Sequence, residues 1–324
     1  MNLRTRDMAG FQLLDLQDYP GQGSAFVGVL DAFMDSKGLV TPEKWREFCS
    51  EVVPMFVTDK FCWSGGEKLN GSIEIANYGQ EIIEGKTISW RLFSEDRTLG
   101  NGSIKVPVGS GLLKSGNISI ELPAIAKAQT ATLELSIDDT KYKNSYPLWF
   151  YPANNQMRKT DNILVAHDLN NDVLAVLKAG GKVFLLPRID SCAKGAIVGG
   201  LFQSDYWNYR MFKTICEGNG SPISPGTLGI LTNPNHQMFN DFPTDYHSNW
   251  QWFSIIKNSY PLVLDRMPQE FKPTVQVIDN VERNHKLGLV FELNVENGKL
   301  LVCMANLDAN DKPEVRQFYN SILN

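Results

Sequence analysis

Five cysteines and four histidines carry most of the nucleophilic and metal-binding capacity of this 324-residue chain. Cys49, Cys62, Cys192, Cys216 and Cys303 are scattered, with no Cys-x-x-Cys spacing. An odd, dispersed set reads as buried thiols rather than a disulfide framework or a zinc site. A nucleophilic cysteine needs a sharp strand-to-helix elbow backed by a histidine and a carboxylate. Cys192, in Asp190-Ser191-Cys192-Ala193-Lys194-Gly195, lacks the flanking glycines of such an elbow; Cys216 falls in a predicted helix and Cys303 in a predicted strand. None suits catalysis. His167, His236, His247 and His285 are well separated, without the i, i+4 spacing of a helical metal site, so no metal is expected. His167-Asp168 ends a predicted strand, where open α/β sheets bind ligands, although a hydrogen-bonded structural histidine explains the pair equally. Gly195 to Gly200 has neither a phosphate-loop lysine nor the GxGxxG order, and no cofactor is expected.

Two further groups of residues have the chemistry of polyol recognition. In Phe242 to Phe253, Trp250 and Trp252 stand beside His247, Asn249 and Gln251. An aromatic face packs on the C–H face of a pyranose, yet the same rings bury large areas when turned inward. Trp250 and Phe253 share one helical face and suit burial, with Trp252 pointing elsewhere, so packing at a domain interface is the favoured reading and a sugar platform the alternative. The other group is Asp18 and Gln22, in a polar loop marked by Pro20, Gly21 and Gly23. Asp18 is suited either to hydroxyl contact or to capping the loop, and Gln22 either to hydroxyl contact or to supporting a helix start.

Three kinds of element position these residues. Phe11 to Leu16 reads as a short, mostly buried strand; from Ser24, Phe26, Val29, Leu30 and Phe33 fall on one face of a helix ended by Lys37 and Gly38. Thr41-Pro42-Glu43 opens a second short helix. From Val52 to Tyr151 the apolar period is two (Ile73 and Ile75; Ile88, Trp90 and Leu92; Ile118, Ile120 and Leu122; Leu133, Leu135 and Ile137), which predicts an antiparallel sandwich of immunoglobulin-like size with Trp90 as its central aromatic. From Asp161, strands and helices alternate: Ile163 to Ala166, a helix through Val173 and Leu177, then Val183 to Leu186. That order predicts a parallel sheet, flavodoxin-like in broad class. Further strands are expected at 227–231, 262–264 and 274–278, a hairpin about Asn297-Gly298, and a closing helix from Pro313.

The run GFQLLDLQDYPGQGSAFVGVLDAFMDSKG resembles the final strand, loop and helix of the (β/α) barrel in glycoside hydrolase family 2 enzymes, in particular the β-galactosidase-like group of Bacteroidetes. The likeness continues through WREFCSEVVPMF, IEIANYG, ISWRLF, FPTDYHSNWQWF, KLGLVFELNVENGKLLVC and RQFYNSIL. It implies a C-terminal portion of such an enzyme: a barrel remnant at 1–50, the sandwich at 51–153 and an α/β domain at 154–324 that resembles the amidotransferase-like domains appended to several β-galactosidases. The parent reaction is then retaining hydrolysis of an O-glycosidic bond, with carbohydrate as partner. Retention requires two carboxyl groups about 5 Å apart, both glutamates in the resembled family. The sequence has no glutamate before Glu43, so no catalytic residue is assigned and the chain alone is expected to be inactive. A stand-alone carbohydrate-binding or assembly module is the alternative.

A formal net charge of -5 and a pI near 5.5 argue against a nucleic-acid partner, which demands a basic face. No apolar run reaches membrane-spanning length, and the first residues lack a signal-peptide core, although the resembled enzymes are usually exported. A lone barrel unit leaves Phe11, Leu13 and the helix face uncovered, so self-association through residues 1–40 is expected.

Overall fold

The computed structural model describes residues 2–8, 10–13, 15–19, 27–95, 97–200, 208–307 and 311–324. The chain is β-rich with few helices and divides into two compact units, Met1–Ala153 and Asn154–Asn324. Among the described residues no helix is long and apolar enough to cross a membrane.

The first unit opens with a 3-10 turn at Asn2–Arg4 and carries a short α-helix, α1 (Pro42–Arg46), capped by the Thr41 hydroxyl, which accepts from Lys44 N at 3.2 Å; Pro42 sits at its first turn as anticipated. Eight strands follow: β1 (Val52–Val57), β2 (Cys62–Ser64), β3 (Lys68–Asn77), β4 (Thr87–Ser94), β5 (Arg97–Lys105), β6 (Gly111–Glu121), β7 (Gln129–Ile137) and β8 (Lys143–Tyr151). They form two sheets, of order β1-β3-β6 and β2-β8-β7-β4-β5, antiparallel throughout except for the β2–β8 pair. Alternate residues of both sheets meet in one apolar core: Phe56, Ile73 and Ile118 from the first, Ile88, Leu133 and Leu148 from the second. Gly71 is required here, because a Cβ would fall 2.1 Å from the Phe56 ring. Trp90 packs on the margin of this core rather than at its centre, whereas Trp63 and Trp149 are buried.

The expected helix after Ser24 is not formed in its described part. Residues 27–38 are turns, with Leu30 bridged in parallel to Gln17 and antiparallel to Ser36. The Asp31 carboxylate accepts from Phe33 N and Asp35 N, and Met34 has φ +71°. Such local side-chain bonds compete with helical ones, and an amphipathic face with nothing to bury against gains little from being helical.

The second unit contains β9 (Ile163–Ala166), α2 (Asn171–Lys178), β10 (Lys182–Leu185), α3 (Tyr209–Gly218), β11 (Gly229–Thr232), α4 (Phe253–Ile256), β12 (Leu262–Val263), β13 (Val275–Ile278), β14 (Lys286–Val295), β15 (Gly298–Cys303) and α5 (Pro313–Ile322). Its sheet runs β11-β13-β14-β15-β10-β9, with β12 paired to β14. Strands β9, β10 and β15 are mutually parallel, and the other pairs, the expected β14–β15 hairpin among them, are antiparallel, so the sheet is mixed rather than the parallel, flavodoxin-like one expected. The connections give the reason. A parallel crossover needs a dozen or more residues, but β13 reaches β14 through 279–285 and β14 reaches β15 through a tight turn at Glu296-Asn297. Val173 and Leu177 bury one side of α2, while Val315 and Phe318 bury α5.

Candidate functional site

Asp18 is 6% exposed, and its Oδ1 accepts from the Gly28 amide at 2.9 Å and from Lys37 Nζ at 2.6 Å. The main chain closes the same knot: Asp18 N donates to Leu30 O, and Leu30 N to Leu16 O. Gly28 permits this approach, since a Cβ there would lie 2.3 Å from the Gln17 carbonyl carbon. The carboxylate is thereby committed to holding the loop. Gln22 lies outside the described residues. Glu43, the earliest glutamate, is exposed in the first turn of α1. Main-chain N–H and Thr41 hydrogen bonds hold its carboxyl below the usual range, the opposite of what a proton-donating acid requires.

The two tryptophans do not share a face. Trp252 is fully buried: its ring meets Phe239, Phe242 and Phe318 at centroid distances of 6.2, 5.3 and 5.0 Å, and its Nε1 donates to Thr244 Oγ1 at 2.8 Å. Trp250 is 56% exposed and touches Phe253 at 6.3 Å. The expected assignment is thus reversed, because residues 250–252 form a single 3-10 turn rather than an α-helix, which rotates Trp252 inward. A platform built from both rings is not available in this arrangement.

Histidine and cysteine geometry is mostly structural. His285 Nδ1 lies 2.7 Å from Asp265 Oδ2, and Asp265 Oδ1 accepts from Lys286 N. His247 and His236 bond main-chain groups of their own loops. Burial, then Asp190, pushes the Cys192 thiol up; burial alone pushes Cys303 up to about 12. Raised thiols are poor nucleophiles. Among the described residues no cluster of three or more His, Cys, Asp or Glu has metal-holding geometry.

Two groupings escape a reading by spacing. Asp279, buried at the end of β13, accepts from Arg283 Nε at 3.0 Å and from the amides of Asn280 and His285. Arg283 also donates to Pro225 O and lies over Tyr209 at 4.8 Å. The second is a cleft of about 410 Å³ at the carboxyl ends of β9, β10 and β15, where His167, Arg188 and Asn306 meet. His167-Asp168 at a strand end was the sequence signal for it; Asn258 and Tyr260, which complete its wall, belong to a distant loop and gave none.

Two family models match the chain, a domain of unknown function (DUF8488) over residues 67–152 and another (DUF8487) over residues 164–324. No curated protein matches it. Distant structural neighbours include a conjugative transposon lipoprotein from Bacteroides eggerthii (12% identity, 30% of this chain and 96% of that one, TM-score 0.20). They also include a β-glucuronidase from Parabacteroides merdae (11%, 53% and 24%, TM-score 0.23). A family 123 glycoside hydrolase from Clostridium perfringens is a third (12%, 37% and 27%, TM-score 0.18). The chain spans less than a third of the length of these two glycoside hydrolases.

Proposed function

We propose that this chain is the C-terminal accessory region of a family 2-like glycoside hydrolase, with the barrel remnant at 1–50, an immunoglobulin-like sandwich at 51–153 and an α/β domain at 154–324. The parent performs retaining hydrolysis of O-glycosidic bonds; the chain lacks the glutamate pair and is inactive alone. Asp18 anchors the last barrel loop, and Gln22 contacts sugar hydroxyls in the intact parent.

One observation carries this reading beyond the sequence resemblance. In the first unit, every large apolar side chain that is exposed among the described residues lies in 11–48, or is Tyr78, Ile82 or Val108. Those three belong to the β3–β4 and β5–β6 loops. Val52 pairs with Asn77, and Asn77 with Gly111, so both loops lie at the end where β1 begins. Ile82 is 82% and Val108 71% exposed there, while the loops at the opposite end expose none. Apolar surface gathered at one end marks an interface, and its continuity with residues 1–50 supports a barrel domain as the occupant.

Assay of the purified chain against a panel of aryl β-glycosides tests the reading. No turnover is expected. Turnover abolished by a single substitution within residues 1–324 refutes it.

A further inference from the structure

The cleft at the carboxyl ends of the parallel strands concerns the second unit alone, whatever the parentage of the chain. The turns that follow β9, β10 and β15 contribute His167, Arg188 and Asn306 to it, and the loop before β12 closes it with Asn258 and Tyr260. That loop is fastened across the strand ends: Tyr260 N donates to Met304 O, Asn306 N to Ile255 O, and Asn306 Nδ2 to Lys257 O. Its volume of about 410 Å³ falls within the ~300–1,000 Å³ of small-molecule sites. Carboxyl ends of parallel strands are where α/β sheets hold ligands, since the loops there converge without covering one another.

Two features belong to the loop that forms this wall. Asn258 holds φ +63°, a left-handed conformation that asparagine adopts more readily than most residues with a side chain. Beside it the Ser259 hydroxyl is buried without a hydrogen-bond partner, in a recess of about 290 Å³ that shares Asn258 and Tyr260 with the cleft.

We propose that this cleft binds a small, neutral, hydroxyl-rich ligand, a mono- or disaccharide. Among the described residues of its wall Arg188 is the one permanent cation, and it already faces Asp168 at 3.2 Å, so those residues offer no unpaired positive charge to an anion. His167 Nδ1 lies 3.0 Å from Leu186 O, a carbonyl that can only accept; Nδ1 therefore carries the proton and, in the neutral ring, Nε2 is left to accept from a hydroxyl. Arg188 and the Asn258 amide donate, and that amide's oxygen accepts. Sugar hydroxyls do both. Tyr260 and Met304 supply apolar surface for the C–H face. Cys303, although in the wall, is buried and its thiol does not reach the ligand.

Saturation-transfer NMR and calorimetry on the 324-residue chain test this, with galactose, glucose, N-acetylglucosamine and lactose as probes and glucuronate and inorganic phosphate as anionic comparators. Binding of at least one neutral saccharide is expected. Arg188→Ala and His167→Ala should each weaken it about tenfold, and Arg188→Lys less. Glu292→Gln, elsewhere on the same sheet, should leave it unchanged; circular dichroism and melting confirm that each variant is folded. Binding of the anions alone overturns the ligand class. Saccharide binding that both cleft variants leave unchanged overturns the site, and no saccharide binding up to about 50 mM overturns the proposal outright.

Discussion

Trp252 stands edge-on to Phe318 of α5, ring centroids 5.0 Å apart, with both side chains fully buried. Phe242 joins them at 5.3 and 5.2 Å, so one aromatic cluster fastens the segment before β12 to the last helix. Trp252→Ala should therefore cost roughly 3–5 kcal/mol, from lost area and the cavity left behind. Trp250→Ala, two residues away but exposed, should stay within about 0.5 kcal/mol of the parent chain. Urea unfolding of both variants checks the pair; equal losses would mean that the two rings share the core.

The second prediction concerns a charge. The Asp279 side chain is 1% exposed and accepts three hydrogen bonds from two Arg283 nitrogens, besides those from two main-chain amides. Removing it strands a guanidinium that is only partly open to water. Asp279→Ala should destabilise by about 3–5 kcal/mol, whereas Asp279→Ala combined with Arg283→Met should recover part of that loss. The double variant being as unstable as the sum of the singles would show that no coupling exists.

These two groupings also show what was legible in the sequence. Ile73, Ile88, Leu133 and Ile118 alternate with polar neighbours because each strand has one wet and one buried face, so the two facing sheets could be read directly. Asn297-Gly298 announced the β14–β15 hairpin by the chemistry of its turn. The parallel pairing read from β9-α2-β10 holds for β9, β10 and β15 alone, since the 227–231, 262–264 and 274–278 strands carry no signal of their direction and pair antiparallel. Leu30 and Phe33 carry a helical period, but a period describes a face and says nothing about whether that face has a partner. Asp279 and Arg283 are only four residues apart, yet Pro225 and Tyr209, which complete their environment, come from distant segments that no spacing relates to them.

Alkaline pH should expose two groups that the fold keeps neutral. Burial, the leading cause, pushes the Tyr146 phenol up to about 12, and burial does the same to the Cys303 thiol. A raised value means that the folded state keeps its proton when the unfolded chain has lost it. The Tyr146 contribution to stability is thus intact below about pH 10 and is lost as the pH climbs towards about 12. Melting temperatures should fall across that window, and Tyr146→Phe should flatten the decline. In parallel, thiol-specific labelling of the native chain near pH 7.5 should modify Cys303 last; a fast-reacting Cys303 would contradict its burial.

The exposed apolar surface of residues 1–40 sets the last expectation. Phe33 is 85% exposed, and Leu16, Tyr19, Met34 and Leu39 are each more than half exposed. In the parent enzyme proposed here a barrel would cover them; in the isolated chain another copy can. Light scattering of the purified protein should therefore show a mass that rises with concentration. Phe33→Ser with Leu39→Ser should restore the monomer, because each buried side chain of this size contributes about 1.5–3 kcal/mol when removed from water. Ile82→Ser, in a loop at the end where β1 begins, separates two geometries: it weakens association if the sandwich loops belong to the same contact, and is silent if residues 1–40 pair with one another alone. A chain that stays monomeric at high concentration removes the basis for either contact and leaves the apolar surface at that end without a partner.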